Sequence, residues 1–423
     1  MELKRTLNLF DATAIGIGAI IGAGIFVVLG IAVGYAGPAI IISMIIAGVI
    51  ASFTAFSFAE LGSAIPKEGG VYGFAYEIIS PFVAFLVGCL WLFAQVIAGT
   101  AISLGFANYF IEIFPFFSLK IVAVLAALAL TTLNLVGIKQ SASVNNILVL
   151  TKIAILCLFI GIGIYQIDPS NYSQFAPNGA FGILQGAAFI FFAYLGFGRI
   201  AVLGEEVKNP ARTLPLSILF ALITSVVLYV LTGLTATGLL DYRVLAGSGS
   251  PLADAATVTG NIALVSAVSF GALVATASVL LTNLMGLSRV SFAMARNGQL
   301  PKSIAKVHSK FGTPYVSILA MGALMAALTV VLDLRQTVAM TSFSLLSTHV
   351  VLNYSVIRLR KKNPDLKTFR SPLYPVIPSL GMISCLILMF SLPTESWIAG
   401  AAVVIISIVY FLVKKTMMRE AKA

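Results

Sequence analysis

Charge is what this sequence has least of. Asp, Glu, Lys and Arg together make up 10% of its 423 residues, against 59% hydrophobic residues, and the mean hydropathy is +1.04. So low a charged fraction and so high a hydropathy exclude a water-solvated globule, which needs far more polar surface. Cysteine is scarce as well: Cys89, Cys157 and Cys385 lie far apart inside apolar runs, which excludes a disulfide framework or a zinc cluster and leaves them as small packing residues. Also missing are HExxH, paired aspartates within apolar runs and GxxxxGK[ST], the parts that an intramembrane protease or an ATP-driven pump requires. A repeated filter or a charged ring, by which a channel would announce itself, is absent too. The net charge of +11 is dispersed over short loops rather than gathered on a folded basic module, so nucleic acid is not an expected partner.

What the sequence does have is apolar runs of roughly 20 to 25 residues, the length that crosses about 30 Å of hydrocarbon as a helix. No alternation of polar and apolar residues suggests membrane strands. The segment Met1 to Leu9 carries Lys4 and Arg5, but the run after it lacks a short core ending in a peptidase site, so no cleaved signal peptide is expected. Twelve spans are predicted: 9–35, 38–64, 78–111, 119–138, 143–167, 180–203, 213–240, 261–295, 313–332, 336–358, 374–392 and 396–413. Most of the 26 Lys and Arg residues then fall on one side, among them Lys4, Arg5, Lys302, Lys306, Arg360, Lys361, Lys362 and Lys415, while Lys120, Arg243 and Arg335 fall on the other. The excess of basic residues marks the cytoplasmic side, which puts both termini in the cytoplasm of a multi-pass protein of the cell membrane. Lys152, Arg199 and Arg289 stand inside spans.

Two spans are poor helices at their centres. Span 1 holds Gly16, Gly18, Gly22 and Gly24 in GIGAIIGAGIF, and span 6 runs Phe191 to Arg199 as FFAYLGFGR. These spans open two successive sets of five; five is odd, so the second set is inverted relative to the first. Interruptions at corresponding places in inverted halves point to the central site of a transporter. An unwound helix frees N–H and C=O groups, tolerable in a membrane only where solute or water satisfies them. Freed amides and a positive helix end suit a carboxylate, and freed carbonyls suit an ammonium group, so a zwitterionic amino acid matches both. Close helix packing is the competing explanation of any single glycine here.

Four stretches, GIGAIIGAGIF at 16–26, FAELGSAIPKEGGVYGFAY at 58–76, FFAYLGFGRIAVLGEEVKNPARTLP at 191–215 and SRVSFAMARNGQLP at 288–301, resemble the amino acid, polyamine and organocation (APC) transporter superfamily. The resemblance is to its cationic amino acid transporter-like branch and to archaeal proton-coupled members, and it covers essentially the whole chain. It implies an all-α polytopic membrane protein with about twelve transmembrane helices, a LeuT-like 5+5 inverted repeat with broken helices 1 and 6, and alternating access. The first repeat would span 9–167, the second 180–358, and two additional helices 374–413. The resemblance carries substrate binding onto main-chain groups at Ile20, Gly22, Ala23, Gly24 and Ile25 in span 1 and at Phe192, Ala193 and Leu195 in span 6. This chain has Gly198 followed by Arg199 where many cationic-branch members have an acidic residue, a departure that weakens the case for Lys or Arg as substrate.

Lys152 lies about nine residues into span 5, some 14 Å deep. Intramembrane ionisable residues are costly and usually face a cavity or a partner. Archaeal proton-coupled relatives carry a lysine at the matching position, which implies a proton-coupling role for Lys152 with Ser278 as its hydroxyl partner; a static peg pinning helix 5 is the alternative. Arg199 and Glu206, seven apart and so on nearly one helical face, suit either a gate pair or an anion-attracting site. Glu60, Glu205, Lys208 and Asn209 are assigned to cytoplasmic gating loops or to solvated loops. His349 reads as a packed neutral imidazole or a proton relay, and Asn171-Tyr172-Ser173 is a sequon in an outer loop. The expected function is secondary active, proton-coupled amino acid transport, with an amino acid or amine exchanger, or a membrane channel, as alternatives. An enzyme is not expected, nor a metal or cofactor; the partners are the amino acid, the proton and the lipid bilayer, and nothing in the sequence signals an oligomeric state.

Overall fold

The computed structural model describes residues 7–65, 69–137, 142–198, 200, 207–364 and 368–420, and their regular structure is helical apart from one isolated bridge between Leu7 and Val207. Among the described residues, eight helical stretches are long and apolar enough to cross a bilayer, the first of them, Leu9–Ala64, interrupted within. The protein is a polytopic membrane protein.

Helix α1 (Leu9–Ile20) starts at a capping box: Asn8 Oδ1 accepts from Asp11 N at 3.0 Å, and the Asp11 carboxylate accepts from Asn8 N at 3.3 Å. A π-helical turn, Gly24–Val28, and α2 (Leu29–Ala36) follow. The chain then turns at Gly37, whose φ of 62° suits glycine, into α3 (Ile40–Ala64). The predicted span 78–111 corresponds to α5 (Pro81–Ile113), which starts three residues later with Ser80 Oγ accepting from Val83 N at 3.2 Å, and ahead of it stands a helix the spans did not include, α4 (Gly70–Ile78), which stops before Pro81. The break between the two arises because proline disfavours helix in the residue before it and suits a first turn. Helix α6 (Leu119–Val136) ends at a left-handed Gly137, and α7 (Ala142–Gly163) and α8 (Gly179–Tyr194) follow. Beyond it lie α9 (Pro210–Leu239), the short α10 (Tyr242–Gly247) and α11 (Pro251–Thr257), and α12 (Ile262–Arg296). Helices α13 (Tyr315–Val331), α14 (Leu334–Lys362), α15 (Val376–Phe390) and α16 (Thr394–Glu420) close the chain.

Burial sorts these helices. Helices α1 and α8 lie at the centre, packed on α9 and α3 respectively, while α5 packs on α12 and α14. Small residues such as Ala12, Ala47, Ala187 and Ala188 are fully buried and let backbones approach closely. The outer helices show apolar side chains instead: Ile121 and Leu125 on α6, and Ile398, Ile405 and Ile406 on α16, are all exposed, as lipid contact requires. At one end of the bundle, hereafter the basic end, lie Asn8, α4, Arg296 and Lys362. At the other end α10 and α11 fold inward, burying Leu245, Leu252 and Ala253. There the sequon asparagine is engaged, Asn171 Nδ2 donating to Gly238 O at 2.8 Å. Nearby Asp168 accepts from Ser170 N at 2.9 Å, a bond that lowers its carboxyl below the usual range.

Candidate transport site at two helix breaks

The first break is abrupt. Helix α1 ends at Ile20, and Ile21 is extended with φ −73° and ψ 100°, its N–H still bonded to Ile17 O at 2.7 Å. The second is softer: α8 ends at Tyr194 and tightens into a 3-10 turn, Leu195–Phe197. The two breaks touch backbone to backbone. A Cβ at Gly24 would overlap Ala193 Cα and Cβ, and one at Gly196 would overlap the Ala19 carbonyl and Ile20 N, so glycine is required at both crossings. Tyr229 of α9 staples them, its hydroxyl donating to Ile20 O at 2.8 Å with Ala193 O at 3.3 Å.

A cavity of about 210 Å³ opens beside this crossing. Of the substrate residues named from sequence, Ile20, Gly22, Ala23, Gly24, Phe192 and Leu195 line it, whereas Ile25 and Ala193 do not. Ala193 faces Gly24 instead, and Ile25 is fully buried within the π-helical turn. Further walls, which the sequence reading did not assign to the site, come from Trp91 and Gln95 of α5, Asn283 and Arg289 of α12, and Phe58 of α3. Arg289 carried a signal, an ionisable residue inside a predicted span. Asn283 Nδ2 donates to Gln95 O at 2.8 Å, while its Oδ1 is buried without a protein partner. His349 also lines the cavity; it is buried, its Nδ1 lacks a protein partner, and its ring lies 5.8 Å from Phe58, 5.8 Å from Phe191 and 6.1 Å from Phe197.

Lys152 is 1% exposed and lies outside the cavity wall. Its Nζ donates to Gly18 O at 3.1 Å and Ile21 O at 3.0 Å, carbonyls at the end of α1 where helical bonding gives out. Ser278 on α12 donates to Ala275 O of its own helix at 3.0 Å, and its oxygen keeps acceptor capacity. Arg199, Glu205 and Glu206 lie outside the described residues.

Glu60 is not in a solvated loop. It sits in α3, 2% exposed, and accepts from Arg360 Nε at 2.6 Å, Arg360 Nη2 at 2.8 Å and Ser371 N at 2.7 Å. The guanidinium also stacks over Tyr374, 4.3 Å from the ring centroid. This ion pair ties α3, α14 and the approach to α15 together at the basic end. Above it, Asn353 of α14 donates to Thr54 Oγ1 at 3.2 Å and accepts from Ser57 Oγ at 2.6 Å.

A bundle of apolar helices enclosing a cavity where two of them are interrupted defines a membrane transporter. The family described as amino acid permease matches residues 7–414. Among the relatives, a methylthioribose transporter of Bacillus subtilis is 38% identical over 432 aligned positions, covering 97% of this chain and 94% of that protein. A branched-chain amino acid permease of the same species is 36% identical over 412, covering 92% and 89%. A chloroplastic cationic amino acid transporter of Arabidopsis thaliana is 34% identical over 330, covering 73% of this chain and 58% of that protein. The chain belongs to the amino acid permease family of the APC superfamily; it is a transporter of amino acids or related solutes, not an enzyme.

Proposed function

We propose that the protein is a proton-coupled secondary active transporter of amino acids with uncharged side chains, working by alternating access. In this reading twelve spans form a 5+5 inverted repeat, 9–167 and 180–358, with two additional helices at 374–413 and both termini in the cytoplasm. The observation that carries it is the cavity at the crossing of the two breaks, lined by Gly22, Ala23, Gly24 and Leu195. At about 210 Å³ it is smaller than the roughly 300–1,000 Å³ of drug-sized ligand sites, which suits one amino acid rather than a peptide.

Wall chemistry supports an uncharged side chain. No Asp or Glu lines the cavity among the described residues, and the charged residue that does is Arg289. A lysine or arginine substrate would therefore lose hydration without gaining a counter-ion. The permease relative named for branched-chain amino acids agrees with this choice.

The cavity reaches Phe58, Gly69, Gly70 and Arg289 toward the basic end, whereas toward the other end Phe26 and Tyr109 are fully buried and the Tyr109 hydroxyl donates to Phe26 O. That pattern suits a state open to the cytoplasm. Lys152 supports coupling because its ammonium holds the two carbonyls at the end of α1: protonation favours the broken helix as drawn, and deprotonation would release it.

A thermal-shift screen of the purified protein against the twenty common amino acids, followed by uptake into proteoliposomes under an imposed pH gradient, tests the reading. Stabilisation by amino acids with uncharged side chains and gradient-driven accumulation are expected. Stabilisation by lysine and arginine alone would overturn the substrate class. Uptake only into vesicles preloaded with amino acid would make the protein an exchanger, and unsaturable flux would make it a channel.

A further inference from the structure

Lys152 is buried and does not border the substrate cavity, so a proton leaving it needs a path of its own. We propose that this path is the seam between α1 and α7, running from Lys152 past Asn145 and Asn146 to Asp11 at the basic end, with Asp11 as the terminal proton acceptor. The inference rests on Lys152 being the coupling residue.

The seam is built from two matched spacings. Asp11 and Gly18 are seven residues apart on α1, and Asn145 and Lys152 are seven apart on α7, so each pair shares a helix face. The pairs also meet in space. Lys152 Nζ donates to Gly18 O at 3.1 Å, Asn145 Oδ1 lies 3.4 Å from where a Gly18 Cβ would stand, and Asn146 Nδ2 donates to Asp11 Oδ1 at 3.3 Å. Val149, which packs on Gly18, is the apolar residue that narrows the seam between them. Asn145 Nδ2 and Asn146 Oδ1 are both buried without a protein partner. Buried amide atoms of this kind are normally satisfied by ordered water, and a lipid-facing seam would carry Leu or Val at these positions. From Asp11 to Gly18 is about 10 Å along the helix, a distance that about three hydrogen-bonded waters bridge. The transfer balances without a further reactant: the Lys152 ammonium loses a proton to the adjoining water, the proton shifts along the chain, and the Asp11 carboxylate takes it up before releasing it to solution.

Proteoliposomes containing the lumenal pH dye pyranine test this, the probe being the radiolabelled amino acid that stabilises the parent protein most. Asp11→Asn keeps an acceptor for the Asn8 N–H but no longer binds a proton, and Asn145→Val closes the seam. Both are expected to lose gradient-driven accumulation and the accompanying proton flux, while exchange of labelled for unlabelled amino acid, which needs no proton release, continues at the parent rate. Asp11→Glu should restore accumulation. Parent-like accumulation by Asp11→Asn, or equal loss of exchange and accumulation, would overturn the route. If Asn145→Val fails to insert, Asp11→Asn and Asp11→Glu decide alone. Lys152→Ala separates the two levels: parent-like accumulation by that variant removes the coupling role and the route with it, whereas loss in Lys152→Ala beside retention in Asp11→Asn removes the route alone.

Discussion

Replacing Gly196 with alanine should force the two helix breaks apart. The new Cβ would fall on the Ala19 carbonyl and on Ile20 N, all backbone atoms, so no change of rotamer can relieve the overlap. Adding a methyl group to a filled interior typically costs about 1–3 kcal/mol, and a backbone obstruction belongs at the upper end of that range. Gly286 supplies the control. It lines the same cavity, but the nearest atom to a Cβ there is Trp91 Cη2 at 3.8 Å, an ordinary contact, and alanine in a helix interior gains about 0.5–1 kcal/mol over glycine. The same chemical change at two cavity glycines should thus differ by about 2–4 kcal/mol, a factor of roughly thirty to several hundred in an equilibrium constant. Melting of both purified variants in one detergent, with initial uptake rates in proteoliposomes, measures the contrast. Gly196→Ala should melt lower and transport poorly, and Gly286→Ala should melt at or above the parent. Equal melting of the two would mean that the breaks do not cross as described.

Three other outcomes follow from the same geometry. Glu60→Ala leaves the Arg360 guanidinium and the Ser371 N–H without their buried acceptor and should cost about 3–5 kcal/mol, with Glu60→Gln milder; indistinguishable melting of the two would deny the ion pair its anchoring role. Tyr229→Phe removes the hydroxyl shared by Ile20 O and Ala193 O, should cost about 1–3 kcal/mol, and should weaken stabilisation by amino acids; an unchanged substrate-induced shift would show the staple to be irrelevant to the site. In intact cells, a membrane-impermeant thiol reagent should label Ser170→Cys or Ser248→Cys and spare Lys306→Cys in a background lacking the three native cysteines, and the reverse pattern would invert the orientation.

Hydropathy made most helices legible, because lipid imposes the same length and apolarity on each crossing; α3, α6, α9 and α12 begin and end within a few residues of the predicted spans. Helix α4 was harder to see, since at nine residues it is too short to register as a crossing. Both breaks were legible from glycine. Which residues around them face the cavity was not: Phe192 and Ala193 are neighbours in the last turn of α8, and it is the close crossing at Gly24 that covers Ala193 and leaves Phe192 on the cavity, while the π-helical turn buries Ile25. Glu60 and Arg360, some three hundred residues apart, meet only in the fold, and Tyr229 looks like any other aromatic residue of an apolar run.

The approach to α1 and the approach to α9 are joined by main-chain atoms, Lys208 N–H donating to Leu7 O at 2.9 Å beside the buried side chains of Leu7 and Val207. A bond of this kind does not depend on which side chains occupy positions 7 and 208. It survives every substitution at 208 except proline, which alone removes the donor. Sequence drift around the entry to the first helix can therefore be wide while the mechanical link between the starts of α1 and α9 persists. Alanine scanning would pass over it in silence.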